Sequence, residues 1–165
     1  MLFTIGYSTR TLPEFLRELE RRGITQIIDV RSSPWSRNQP FNANQIERWA
    51  ERGGILYRQA GDVLGGRAEI PLDHPDYLAA LDRLIDIASR EPLAIMCSEG
   101  DPAQCHRTWD IGASLLVRHG IIGRSILRDG REEDLTDTLK RVRRSLIAPE
   151  IRAILDAQPD LFTGG

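Results

Sequence analysis

The stretch Leu93-Ala94-Ile95-Met96-Cys97 decides the fold of this chain of 165 residues. Five consecutive side chains without a charge or a hydroxyl group predict a strand that is buried on both faces of its sheet. Polar residues follow at once, beginning with Ser98-Glu99. We therefore expect the carboxyl end of this strand to lie at an edge of the sheet where polar groups meet solvent.

Short apolar runs alternate with amphipathic runs on both sides of this stretch. Further strands are predicted at 2–6, 26–30, 55–57 and 125–127, and helices at 11–22, 44–52, 75–89, 107–119 and 135–156. The first helix opens with a capping box at Thr11-Leu12-Pro13-Glu14. This alternation predicts one α/β domain over residues 1–165, with a mostly parallel sheet of about five strands and helices on both faces, a Rossmann-like three-layer arrangement. The motifs fall within a core at 2–127, and a C-terminal helical extension covers about 132–165.

The composition excludes several classes of protein. Hydrophobic residues make up 41% and charged residues 28%, as in ordinary globular domains. A net charge of -2 disfavours a protein that coats nucleic acid by bulk charge. No apolar run approaches the ~20 residues that span a bilayer, so we expect no membrane partner. Without a Cys-x-x-Cys pair or a signal-peptide pattern, we expect a cytoplasmic protein with reduced thiols.

Arginine dominates the basic residues. Lys140 is the single lysine among 22 basic side chains. A GC-rich genome explains such a bias, but the guanidinium fork also suits phosphate and carboxylate ligands. Residues 1–67 hold 10 basic against 7 acidic side chains, whereas the remainder holds 12 against 17. The excess of positive charge is therefore local.

Polar and charged residues follow each predicted strand. Because ligands of parallel α/β sheets bind beyond the carboxyl ends of the strands, we expect these groups to converge at one edge. They occur in the segments Gly6-Tyr7-Ser8-Thr9-Arg10, Asp29-Val30-Arg31-Ser32-Ser33-Pro34, Leu64-Gly65-Gly66-Arg67 and Cys97-Ser98-Glu99, and in Cys105-His106-Arg107.

These segments also carry a resemblance. The chain resembles the family called domain of unknown function 488 over residues 2 to about 127. The segments that carry the resemblance are Thr4 to Ser8, Asp29 to Arg37, Pro40 to Asn42, Leu64 to Arg67 and Cys97 to Arg107. The resemblance implies an α/β domain but no established reaction. Members often carry a histidine just before the isoleucine of the last strand, and Ser125 occupies that position here.

Cys97 admits two interpretations. A thiol at a strand end can be a nucleophile activated by arginine or by a helix N-terminus. It can also be a buried and inert side chain, which is common for cysteine. A cysteine phosphatase needs arginine six positions after the cysteine, where this chain has Ala103, so that spacing fails.

The same region contains residue types that bind metals. Cys97, Glu99, Cys105 and His106 are all possible zinc ligands. However, adjacent side chains on a helix diverge by about 100°. With Cys105 and His106 at the start of a predicted helix, we expect no shared metal and no cofactor.

The segment around Arg107 favours an anion site. Backbone N–H groups at a helix start attract negative charge. Arg10, Arg31 and Arg67 would add guanidinium groups to that site, unless Asp29, Glu99 and Asp101 neutralise them internally. The loop 31–41 interleaves arginine with aromatic residues, a pattern that can hold single-stranded nucleic acid.

Three functions remain open from the sequence. The leading hypothesis is a small enzyme that binds a phosphate-bearing substrate, a nucleotide or nucleic acid, and transfers a proton through Glu99 or His106. The alternatives are a non-catalytic module that binds nucleotides or nucleic acid, and thiol chemistry at Cys97. The candidate catalytic residues are Glu99, His106, Cys97 and Asp29, and the candidate anion-binding residues are Tyr7, Ser8, Arg10, Arg31, Ser32, Arg37, Tyr57, Arg67, Cys105 and Arg107.

Overall fold

The computed structural model describes residues 1–141 together with Pro149, Arg152 and Ala153. Its six strands form one sheet in the order β3-β2-β4-β1-β5-β6. Every pairing is parallel except that of β5 with β6. The mostly parallel α/β fold is thereby confirmed. The strands are β1 (Leu2–Gly6), β2 (Gln26–Asp29), β3 (Leu56–Gln59), β4 (Leu93–Cys97), β5 (Arg124–Ile126) and β6 (Glu132–Asp134).

Six α-helices and three other helical turns lie between or after these strands within the described residues. The predicted helix at 107–119 begins as a π-helix and continues as α5, a difference that the apolar spacing did not reveal. The α-helices are α1 (Leu12–Glu20), α2 (Ala43–Arg52), α3 (Gly61–Leu64), α4 (Pro75–Arg90), α5 (Ala113–His119) and α6 (Leu135–Arg141). The turns are 3₁₀-helices at Gln39–Phe41 and Pro102–Gln104 and the π-helix at Arg107–Gly112.

The sixth strand corrects the predicted sheet of about five. The segment Glu132-Glu133-Asp134 has no apolar side chain, and it pairs antiparallel with β5 at the edge of the sheet. A solvated edge strand needs no hydrophobic pattern, because backbone hydrogen bonds alone can add it to a sheet. The first residues of the predicted helical extension are thus a strand. The helix predicted beyond 141 lies outside the described residues, apart from Pro149, Arg152 and Ala153.

Strand β4 lies at the centre of the sheet and packs on both faces. Leu93, Ile95 and Cys97 join a core with α4 and α5, whereas Ala94 and Met96 join a core with α1 and α2. Because successive side chains of a strand alternate between its faces, a strand covered on both sides must be apolar throughout. This explains the uninterrupted apolar run that opened the sequence analysis.

The carboxyl ends of β1 and β4 are packed closely together. Gly6 is paired in register with Cys97. A Cβ atom at Gly6 would lie 1.6 Å from the carbonyl oxygen of Glu99, so only glycine fits there. This close approach holds the backbone after Cys97 in place at the edge of the sheet. None of the helices in the described part of the chain has the length and apolarity needed to cross a membrane.

Candidate functional site

A cleft of about 270 Å³ opens at the carboxyl edge of the sheet. It is lined by residues that follow β1, β2 and β4 and by residues of the loop after β3. Its inner part contains two buried cysteines, and its outer part contains exposed polar and aromatic side chains. The lining residues are Tyr7, Arg31, Ser32, Ser33, Trp35, Gly66, Arg67, Cys97, Ser98, Glu99, Gln104, Cys105 and His106.

Two thiols and an imidazole meet inside this cleft, and we call them the thiol–imidazole cluster. The ligand atoms of Cys97, Cys105 and His106 all lie within 4.8 Å of one another. The Cys105 Sγ atom is 3.8 Å from His106 Nδ1, and His106 Nε2 is 3.1 Å from the carbonyl oxygen of Val30. A carbonyl only accepts, so Nε2 carries a proton and donates it there. Nδ1 is left to face the sulfur atoms.

The backbone explains why adjacent residues can share this cluster. Cys105 is extended, with φ -128° and ψ 137°, and precedes the π-helix, whereas His106 is helical, with φ -58° and ψ -26°. The two residues are therefore not consecutive positions on one helix. The predicted divergence of their side chains was wrong. The sulfur and nitrogen atoms of the cluster also form a set that could hold Zn²⁺.

The members of the cluster shift one another's proton affinities. The Cys105 thiol lowers the pKa of Cys97 well below its ordinary value; burial opposes this effect, and His106 and Arg107 reinforce it. The hydrogen bond with Cys97, together with burial, raises the pKa of Cys105. Burial favours the neutral imidazole, but the interaction with Cys97 outweighs it and raises the pKa of His106. These shifts favour the thiolate form of Cys97, the protonated form of His106 and the neutral form of Cys105, each relative to the ordinary side chain.

Two guanidinium groups are buried behind the cleft. Arg107 is 0% exposed and donates to Thr4 Oγ1 at 3.2 Å and to the carbonyl oxygen of Glu99 at 2.7 Å. Arg10 donates to the carbonyl oxygens of Gly6 and Leu127, each at 2.5 Å. Neither forms an ion pair with a carboxylate of the described residues. Two positive charges are therefore buried beneath the strand ends, and burial, together with the neighbouring Arg128 and Arg107, lowers the pKa of Arg10.

A third arginine is neutralised within the protein. Arg31 donates to both carboxylate oxygens of Asp29, with an Nη2–Oδ2 distance of 2.6 Å, and to the carbonyl oxygen of Phe41 at 2.8 Å. Asp29 also accepts a hydrogen bond from the Tyr57 hydroxyl at 2.6 Å. Burial and the Asp29 charge raise the pKa of Tyr57. Asp29 thus orients an arginine and a tyrosine, and Arg31 reaches the cleft beside Tyr7.

The rim of the cleft carries side chains that are free to meet a ligand. Arg67 is exposed; its backbone N–H donates to Ser32 Oγ at 2.9 Å, and its guanidinium group has no hydrogen-bond partner among the described residues. Trp35 is 67% exposed. The Glu99 carboxylate is exposed and has no hydrogen-bond partner within the described residues. The rim therefore offers one cation, one carboxylate and one aromatic face.

The cleft gathers some of the predicted site residues and leaves others outside. It brings together Tyr7, Arg31, Ser32, Arg67, Cys97, Glu99, Cys105 and His106. Outside its lining lie Ser8, Arg10, Asp29, Tyr57 and Arg107, which pack around it, and Arg37, which is exposed.

Five lining residues were not among the predicted site residues. Ser33 and Ser98 stand next to predicted ones, and Trp35 was noted only as part of an aromatic loop. Gly66 belongs to the Leu-Gly-Gly-Arg segment, and a Cβ there would lie 2.8 Å from His106 Cγ, so glycine leaves room for that ring. Nothing in the sequence around Gln104 marks it as a lining residue.

The fold and the cleft define the class of protein: a small, mostly parallel α/β protein with a thiol–imidazole cluster at the carboxyl edge of its sheet. The family described as "Domain of unknown function DUF488" matches residues 11–109, and the chain belongs to that family. That match includes every residue lining the cleft except Tyr7. No significant match was found among curated proteins or solved structures.

Proposed function

We propose that this protein is a cysteine-dependent enzyme in which the Cys97 thiolate attacks an anionic, phosphate-bearing substrate. The observation that carries the proposal is the convergence of Cys97, Cys105 and His106 within 4.8 Å in a cleft that also contains Arg67. It keeps the substrate class of the leading sequence hypothesis and takes the nucleophile from the thiol alternative.

Burial and charge support a thiolate at Cys97. A nucleophilic cysteine needs a nearby positive group, because the thiolate is the reactive form. His106 supplies one within the cluster, and the buried Arg107 supplies a second that no carboxylate of the described residues neutralises. A buried thiol without such neighbours would stay protonated and inert.

The rim supports an anionic substrate. The Arg67 guanidinium has no partner in the part of the chain that the structure describes, and the hydroxyls of Ser32 and Ser33 lie in the same lining. The exposed Trp35 offers a surface on which a base can stack. A phosphate held at Arg67 and a base on Trp35 would be consistent with a nucleotide or a single-stranded nucleic acid.

The phosphate is proposed as a binding group and not as the reacting centre. Ala103 stands six positions after Cys97, where phosphoryl attack by cysteine needs an arginine, and it lies in a 3₁₀-helix. We therefore assign an electrophilic carbon to Cys97. The Sγ–carbon bond forms as the bond from carbon to the leaving group breaks, and His106 donates its Nδ1 proton to that group.

A second step would return the enzyme to its starting state. Water attacks the carbon of the thio-intermediate, and the carbon–sulfur bond breaks to regenerate the Cys97 thiolate. Glu99 is exposed at the same cleft and accepts one proton from the water. Transfer of this proton from Glu99 to the Nδ1 atom of His106 restores the thiolate–imidazolium pair.

Alkylation with two reagents of different charge tests the proposal. Iodoacetate and iodoacetamide both react with thiolates, but only iodoacetate is an anion. With both thiols in place and the alkylated cysteine identified by peptide mapping, we expect Arg67→Gln to lower the ratio of the iodoacetate rate to the iodoacetamide rate at Cys97 by about two- to fivefold, as for one exposed charge interaction. Inorganic phosphate should slow both reagents. Arg37→Gln removes an exposed arginine outside the cleft and should leave the ratio unchanged.

Three results would reject parts of the proposal. If Cys97 resists both reagents at neutral pH, the thiolate is absent. If Arg67→Gln and Arg37→Gln behave alike, the anion is not held at the rim. If the purified protein contains one zinc per chain and becomes reactive only after chelation, the cluster is a metal site.

Nucleic-acid binding without catalysis is the second candidate, supported by Trp35 at 67% exposure beside Arg67 in the same cleft. It predicts binding to a single-stranded oligonucleotide that weakens with salt. Under this alternative, Cys97→Ser and Glu99→Gln retain full binding, and a screen of nucleotides and phosphodiesters finds no turnover.

A further inference from the structure

The proposed nucleophile needs only one thiol, yet the cluster contains two. Cys105 is 2% exposed and Cys97 is 4% exposed. Their sulfur atoms lie within 4.8 Å of each other, both in the lining of the cleft. In the substrate chemistry assigned above to Cys97, His106 and Glu99, the Cys105 thiol neither makes nor breaks a bond.

The two sulfur atoms start a short distance from bonding range. A disulfide requires an S–S distance of about 2.05 Å, so the sulfurs must close a gap of less than about 3 Å. Cys97 is held by the pairing of β4 with β1. Cys105 lies in the connection that runs from β4 to the π-helix, between a 3₁₀-helix and His106. Rotation of the Cys105 side chain with a small shift of this connection would bring the sulfurs together.

We propose that Cys105 is the resolving thiol of Cys97, so that oxidation by a hydroperoxide ends in a reversible Cys97–Cys105 disulfide. The inference shares the reactive Cys97 with the proposed function but does not depend on the phosphate-bearing substrate. It assigns the cluster a second reaction, the reduction of a hydroperoxide at the expense of a dithiol.

The first step oxidises Cys97. The thiolate attacks one oxygen of the hydroperoxide, a sulfur–oxygen bond forms and the oxygen–oxygen bond breaks. The departing alkoxide or hydroxide takes the proton of His106 Nδ1 and leaves as alcohol or water. Cys97 is now a sulfenic acid, oxidised by two electrons, and the hydroperoxide has gained them.

The second step consumes Cys105. Its sulfur attacks the sulfenic sulfur of Cys97, the sulfur–oxygen bond breaks, and the Cys105 proton leaves with the hydroxyl group as water. His106, neutral after the first step, lies 3.8 Å from Cys105 Sγ and can relay that proton. A dithiol then reopens the disulfide by exchange and is itself oxidised to a disulfide.

A thiol at the position of Cys105 would limit how far Cys97 is oxidised. A sulfenic acid with no thiol in reach is oxidised further to sulfinic and sulfonic acids, which are not restored by thiols. A neighbouring thiol intercepts it first. The pair would therefore protect the proposed nucleophile from permanent loss, at the cost of temporary inactivity.

Thiol counting by mass spectrometry tests the inference. The reduced full-length protein is treated with one equivalent of hydrogen peroxide, quenched with N-ethylmaleimide and weighed intact. We expect the wild type to lose the mass of two hydrogen atoms, to have no free thiol and to regain both thiols in dithiothreitol. Peptide mapping should join Cys97 to Cys105 within one chain.

Two serine variants assign the roles. In Cys105→Ser the sulfenic acid should persist long enough to be trapped by dimedone, and excess peroxide should add two or three oxygen atoms to Cys97. In Cys97→Ser the remaining Cys105 should stay reduced under the same treatment. Circular dichroism of each variant checks that it is folded.

Specific outcomes would overturn the inference. If the wild type accumulates oxygen on Cys97 while Cys105 remains a free thiol, Cys105 is not a resolving thiol. If the disulfide joins two chains, Cys105 of the same chain is not the partner of Cys97. The proposed function can fail without this inference. If an intramolecular disulfide forms but Arg67→Gln does not change the alkylation ratio, the proposed function is rejected and the present inference stands. If the alkylation ratio depends on Arg67 but no disulfide forms, this inference is rejected and the proposed function stands.

Discussion

Removal of the carboxylate at Asp29 should destabilise the protein strongly. The side chain of its partner Arg31 is 4% exposed and that of Asp29 is 1% exposed. The Nη2 atom of Arg31 lies 2.6 Å from Oδ2 of Asp29. Breaking a buried pair costs about 3–5 kcal/mol because it leaves the other charge uncompensated. Asp29→Ala also removes the acceptor of the Tyr57 hydroxyl. For a chain of this size, such a loss lowers the melting temperature by roughly 6–20 °C.

Urea denaturation, followed by circular dichroism, measures this loss. Tyr57→Phe is the matched control, because it removes one hydrogen bond to the same carboxylate and should cost only about 1 kcal/mol. The double variant Asp29→Ala with Arg31→Met should recover part of the stability, because no charge is then buried alone. If Asp29→Ala loses less than about 1 kcal/mol while alkylation of Cys97 collapses, Asp29 acts in the chemistry and the structural role assigned here is refuted.

Three further predictions concern the cluster and the first helix. Because the pKa of Cys97 is lowered, the thiolate should persist below neutral pH, and alkylation should be nearly as fast at pH 6 as at pH 8. His106→Asn removes the imidazolium, so alkylation of that variant should slow as the pH falls, by up to tenfold per pH unit; a profile as flat as that of the wild type would contradict this role of His106. Gly66→Ala should displace the His106 ring, because the new Cβ would lie 2.8 Å from its Cγ. The pH profile of Cys97 alkylation in this variant should then move toward that of His106→Asn, and an unchanged profile would contradict this role of the glycine. Thr11→Ala removes the cap that accepts from the backbone N–H of Glu14 and should cost about 1 kcal/mol in urea denaturation without altering alkylation.

The main architecture could be predicted because its causes are local. The apolar run of β4 requires burial on both faces, and the capping box at Thr11 and Glu14 forms within one turn of α1. The location of the cleft followed from the same information, since parallel strands direct their carboxyl ends to one edge. The edge strand β6 was missed because its three acidic residues carry no pattern of burial.

The roles of the arginines could not be predicted. Five arginines follow strand ends in the sequence, and only Arg31 and Arg67 line the cleft. Arg10 and Arg107 turn inward to backbone carbonyl and hydroxyl oxygens, contacts that depend on how β1, β4 and β5 are placed beside one another. Sequence spacing contains no information on which way such a side chain turns.

The sequence by itself determined a parallel α/β sheet, its central strand and the edge at which chemistry-bearing residues collect, because hydrophobic periodicity and strand direction are properties of short segments. Only the tertiary structure decided that Cys105 and His106 both face Cys97. That arrangement depends on the change from extended to helical backbone between two adjacent residues, and on the hydrogen bond from His106 to Val30, 76 positions away in the chain. Proton affinities within the cluster follow from distances of a few ångströms, and such distances are set by packing between segments that are remote in sequence.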